Sequence, residues 1–143
     1  MQTVSKIPPT GVAAQNVSGI TIHSALRIIQ SGSGYQSLAL YDLEFKKKLQ
    51  SIQILIIEEV SIVSSSLFNF ISNLFARIHN SDIAFGGISV IAVGNLAQLP
   101  PVRGEAVFYS SIWQLFYPLF LCKSQKQPLV KIIYFVNKTF RQQ

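Results

Sequence analysis

Two short apolar runs constrain this chain most. Ile54-Leu55-Ile56-Ile57 is unbroken and stops at Glu58-Glu59, and Ile88 to Val93 stops at Gly94-Asn95. A strand with one wet face alternates apolar and polar residues. A continuous, β-branched run instead predicts a strand covered on both faces, as in a parallel sheet. Neither run approaches the roughly 18 residues that a membrane-spanning helix needs. The apolar share of 49% against 13% charged residues therefore reads as buried sheet and argues against disorder. At 143 residues the chain is one domain with a real core.

The remaining elements fall around these runs. Residues 2–7 predict a short strand that ends at Pro8-Pro9, and Val12-Ala13-Ala14 suits a short helix. Thr21 predicts the N-cap of a helix carrying Ile22, Ala25, Leu26 and Ile29. Ser31 to Gly34 reads as a loop, and Asp42 as the cap of a helix to about Leu49. Leu67, Phe70, Ile71, Leu74, Phe75 and Ile78 recur at helical spacing after Ser64, with Gly86-Gly87 as the break. The loop from Gly94 to Gly104 holds Pro100-Pro101, and a short helix near Ser110 to Tyr117 and a strand near Leu129 to Val136 follow. Strands alternating with helices predict an α/β fold with a mostly parallel sheet.

Charge adds little. The net charge of +6 is compatible with a polyanion partner, but the lysines and arginines are dispersed apart from Lys46-Lys47-Lys48. Cys122 is the lone cysteine, which leaves no internal disulfide and no cysteine metal site. No charged-then-apolar signal pattern follows Met1, so secretion is not expected.

Chemistry concentrates at the two strand ends. Parallel sheets place ligands at the carboxyl ends of their strands. Two consecutive acids there, here Glu58-Glu59, can divide phosphoryl chemistry, one holding Mg²⁺ and the next orienting or deprotonating water. The plain alternative is a buried strand leaving the core through two solvated acids. In Gly94-Asn95-Leu96-Ala97-Gln98-Leu99-Pro100-Pro101-Val102, Gln98 is placed to reach a terminal phosphate or a nucleophilic water; the alternative is a proline-rich turn with a surface amide. Trp113 and its aromatic neighbours fit base stacking, but their spacing with Ile112 and Leu115 favours core.

The chain resembles the Pif helicases of superfamily 1B, which are ATP-dependent 5′-to-3′ DNA helicases. Four segments carry the likeness in order: Pro9 to Ala14 with Gly19 to Ser24, then Leu55 to Val63, then Gly94 to Val102, then Thr139-Phe140-Arg141-Gln142. They resemble the family's motif Ia, motif II, motif III and motif IV. The resemblance implies a RecA-like domain, residues 1–143 forming part of a first motor domain. It implies Glu59 as the catalytic glutamate and Glu58 as the Mg²⁺ ligand. It also implies Gln98 and Arg141 as residues that approach the γ-phosphate of ATP, and Thr10, Gly11 and His23 along a single-stranded DNA path. For His23 the alternative is a helix-start histidine bonded within its own turn. The expected setting is DNA repair, recombination and telomere or genome maintenance in the nucleus or the mitochondrion, with no membrane.

The chain departs from the family pattern in three ways. No glycine is followed by lysine, so the phosphate loop G-x-x-x-x-G-K-[ST] does not occur in these residues. The expectation is a domain that lacks its phosphate-loop strand and its second motor domain, with the Ile88 to Val93 edge left unpaired. Glu58 stands where the family has Asp, and Asn95 where it has the Asp of Gly-Asp. A non-catalytic helicase remnant, binding at most DNA or a partner protein, is the alternative function.

Overall fold

Strand pairing in the computed structural model, which describes residues 3–7, 21–32, 34–121 and 131–136, joins five strands into one mixed sheet. β1 (Thr3–Ile7) pairs parallel with β4 (Ile52–Ile57), and β4 pairs parallel with β5 (Ser89–Gly94). On its far side β5 pairs antiparallel with β7 (Lys131–Val136), whose outer neighbour is β6 (Tyr117–Leu121). The sheet order is thus β1-β4-β5-β7-β6, half parallel and half antiparallel. A separate antiparallel hairpin is made of β2 (Ile28–Ser31) and β3 (Gly34–Ser37).

Two expectations are corrected here. The edge of β5 is not unpaired: Val90 to Gly94 face Val136 to Ile132 across a continuous ladder. Nor do the apolar runs disappear on both faces. Leu55, Ile57, Val90 and Ala92 are buried, whereas their alternates Ile54, Ile56, Ile91 and Val93 are half-buried. The second face is partly covered among the described residues, which is why β-branched residues occupy it without being sealed.

Helices follow their caps. α1 (Ile22–Ala25) opens at Thr21, whose hydroxyl accepts from the Ser24 N–H at 3.3 Å. It stops after one turn, and Ile29, expected on its apolar face, lies 43% exposed on β2. The reversal occurs at Arg27, with φ 48°. α2 (Leu43–Gln50) is capped by Asp42, which accepts from the Phe45 N–H at 3.0 Å. α3 (Ser65–Ile78) starts at Ser64, whose hydroxyl accepts from the Leu67 N–H at 3.2 Å.

α3 supplies much of the core. Leu67, Ile71, Leu74, Phe75 and Ile78 are buried as the spacing predicts, Phe70 is half-buried, and Phe68 is fully buried. Phe68 packs edge-on to Phe85 and Trp113 and tilts against Phe116, so this aromatic cluster belongs to the core. Trp113, stacked on Phe116 at 5.4 Å, is part of it and forms no base-stacking platform. The helix ends at His79-Asn80, before the glycines expected to break it. Gly86 instead lies against α3: a Cβ there would sit 2.6 Å from the Phe75 carbonyl oxygen. The buried Ser72 hydroxyl accepts from the Phe85 N–H at 3.0 Å and ties this turn to the helix.

Candidate functional site

β4 and β5 run parallel and in register, with Ile57 opposite Ala92, so their carboxyl ends open together. The sharp turn out of β4 is made by Glu59, at φ 50° and ψ 44° in the left-handed region. That backbone lets Val60 to Ile62 form a 3₁₀ turn, closed by the Ile62 N–H donating to the Glu59 carbonyl at 3.2 Å. Val60 is buried and Glu59 is exposed, so the turn anchors an apolar side chain and lifts a carboxylate into solvent. Glu58, one residue earlier, is half-buried at the strand end.

The second strand end comes close because it lacks a side chain. A Cβ on Gly94 would lie 3.0 Å from the Val60 nitrogen and 3.2 Å from its Cγ1. Glycine at this position lets the two exits touch. Asn95 then folds the loop back: its side-chain oxygen accepts from the Ala97 N–H at 3.0 Å, and its carbonyl accepts from the Gln98 N–H at 3.0 Å. This local turn needs an acceptor two residues before Ala97, which either an amide or a carboxylate supplies. Asparagine here supplies that acceptor without the charge of an aspartate and keeps the turn that presents Gln98.

The result is an open cleft of about 780 Å³ lined by Glu59, Ser61, Ile62, Ala97, Gln98, Leu99 and Pro100. Glu59 and Gln98, from separate segments of the sequence, line the same cleft. The sequence alone assigns Gly94 and Asn95 no role in the cleft; the signal they offer is a small residue and a turn-former directly after a buried strand. Thr10, Gly11 and Arg141 lie outside the described residues. His23 is exposed on α1, away from the cleft lining, with its ring 6.5 Å from that of Tyr35.

Among the described residues, no group of three or more His, Cys, Asp or Glu is arranged to hold a metal. One carboxylate is nonetheless enough for Mg²⁺ of the kind that is bound chiefly through substrate phosphates and water. Glu58 fits that donor set. Among the described residues no helix is long and apolar enough to cross a membrane.

Comparison with known proteins converges on one family. Residues 1–133 match the PIF1-like helicase family. The ATP-dependent DNA helicase Pif1 of Psychrobacter sp. (strain PRwf-1) is 35% identical over 125 residues, covering 77% of this chain and 18% of that protein. The ATP-dependent DNA helicase PIF1 of Emericella nidulans is 34% identical, over 65% of this chain and 13% of that protein. The crystal structure of Bacteroides sp Pif1 in complex with ADP-AlF4 superimposes with a TM-score of 0.71 at 26% identity, covering 82% of this chain and 31% of that one. A Bacteroides Pif1 structure in complex with ADP-AlF3 and ssDNA gives a TM-score of 0.68 at 27% identity, over 79% of this chain and 30% of that one. The chain therefore spans less than a third of the length of these relatives.

Proposed function

This chain belongs to the PIF1-like helicase family, and from that premise we propose that it is part of the first motor domain of an ATP-dependent 5′-to-3′ DNA helicase. The observation that supports this reading is the shared cleft: Glu59 and Gln98 line it together at the carboxyl ends of two neighbouring parallel strands. In a helicase motor that edge faces the γ-phosphate of ATP.

In this reading Glu59, exposed at the cleft wall, orients the attacking water and accepts its proton. Gln98 hydrogen-bonds that water or the γ-phosphate, and Arg141 approaches the same phosphate. Glu58 would hold Mg²⁺, which would supply neutralisation of phosphate charge. Thr10, Gly11 and His23 line the path of single-stranded DNA. The setting is repair, recombination or telomere maintenance of nuclear or mitochondrial DNA.

These 143 residues hold no G-x-x-x-x-G-K-[ST] loop, and the donors for the β- and γ-phosphates come from such a loop. The purified chain is therefore expected to hydrolyse ATP only at background. The test of function joins it to the phosphate loop and second motor domain of a relative such as Bacteroides Pif1. Single-strand-stimulated ATPase should appear and vanish with Glu59→Gln. Glu58→Asp should raise kcat about ten-fold or more, because shortening the side chain by one methylene recentres a ligand that Mg²⁺ holds at about 2.0–2.1 Å. No stimulated hydrolysis in either fusion would favour the non-catalytic remnant.

A further inference from the structure

We propose that a groove on the flank of the molecule is a subsite for an unpaired base of single-stranded DNA, a reading that rests on the helicase function above. The groove lies between β3 with the turn after it and the outer side of α3. It encloses about 970 Å³, shares no residue with the Glu59–Gln98 cleft, and includes Tyr35, Tyr41, Phe70, Asn73, Arg77 and Asn80 in its wall.

The wall combines the groups that hold a base without choosing its identity. Tyr35 and Phe70 are half-buried, packed on the core and on each other with centroids 5.6 Å apart, so their positions are fixed. Tyr41 is 86% exposed and presents an open ring. No hydrogen bond or ion pair ties the side chains of Asn73, Arg77 or Asn80 to another described residue. Carboxamides reach the edges of any base, a guanidinium takes a phosphate, and aromatic faces stack on all four bases.

Continuity points to a strand as the occupant. The Tyr35 ring at the rim sits 6.5 Å from that of His23 and 5.6 Å from that of Phe70. Tyr35, a residue of the groove wall, thus neighbours both the exposed histidine of the proposed strand path and Phe70 of the same wall. A strand passing His23 has the groove mouth as its next neighbour, and a base rotated off the stack can enter it.

The experiment measures binding of the full chain to a fluorescent oligothymidylate and to the same strand carrying abasic sites. Tyr41→Ala, at a side chain too exposed to affect folding, should weaken binding to the thymidylate strand about ten-fold, the scale of one lost stacking contact. On the abasic strand, which keeps every phosphate, the variant and the parent should bind alike. A strand bearing 5-iodouracil should photo-crosslink to Tyr35 or Tyr41. Should the thymidylate bind and weaken with His23→Ala while Tyr41→Ala has no effect and no crosslink maps to the groove, the base subsite is wrong and the DNA reading stands. An equal loss on both strands would also overturn it, by exposing a phosphate contact. Failure of the chain to bind any single strand would sink the parent reading, and the groove with it.

Discussion

Glu59 carries its carboxylate on left-handed backbone, where a Cβ crowds the following carbonyl at about 1–2 kcal/mol. Glycine avoids that crowding but loses about 0.5–1 kcal/mol of backbone freedom on folding. Glu59→Gly should therefore be more stable than Glu59→Gln, by about 0.5 kcal/mol on these figures, while both lack the acid. Equal urea midpoints for the two would show that this turn relaxes. Gly94 makes the opposite prediction. Its missing Cβ leaves room for the fully buried Val60, so Gly94→Ala should cost about 1–3 kcal/mol as an overpacking change, read from the same midpoints. Retained stability would mean that the two strand exits can part. At this scale the sequence was informative about identity and silent about cause. Adjacent acids after a buried run marked Glu58 and Glu59, but no pattern announces a left-handed residue that is not glycine. The need for glycine at 94 came from contact with a residue far away in sequence.

Asp42 shows how one side chain defines an element. It accepts from the Phe45 N–H at the start of α2 and from the Arg27 guanidinium at 2.7 Å, while Arg27 lies 4.0 Å over the Phe45 ring. The Phe45 N–H first, and Arg27 second, hold its carboxyl below the usual carboxylate range. A lowered value in the folded state means that the ionised form is favoured there. The stability it adds is present above the ordinary aspartate value of about 3.9 and is lost as pH falls through the lower folded value. Asp42→Asn should melt below the parent at pH 7, and the gap should close in acid below about pH 4. A constant gap from pH 7 to pH 2 would assign the effect to something other than this carboxylate. The caps at Thr21 and Asp42 were legible because their chemistry is local. The β2–β3 hairpin was not: Ile28 to Ser37 has a helical-looking apolar start, and the reversal depends on Arg27 adopting φ 48°. Phe68 was missed for a similar reason, since its burial comes from Phe85, Trp113 and Phe116 arriving from later segments.

Across the whole molecule, the parallel half of the sheet was readable from apolar runs, and the antiparallel half was not. A late strand was expected near Leu129 to Val136, but Tyr117–Leu121 with its Pro118 does not advertise a strand, and nothing local says that β7 will lie against β5. Sheet order depends on pairings between distant segments, which a periodicity reading does not see. The arrangement makes β7 an interior strand, with Ile133 facing Val93 on one side and Leu119 on the other. A proline there removes a ladder hydrogen bond where no edge can absorb the loss. Ile133→Pro should drive the chain into aggregate by light scattering; scattering equal to the parent's would show that β7 contributes little to solubility. The same pairing bears on how the protein is made. A ribosome releases β4 and β5 well before β7, so for that interval β5 is paired with β4 on one side and the growing chain displays its other edge, from Val90 to Gly94, unpaired. Such an edge is a template for any extended segment nearby. Translation speed between codons 94 and 131, and whether a chaperone holds the nascent chain over that stretch, should therefore decide the yield of folded protein more than any residue of the cleft.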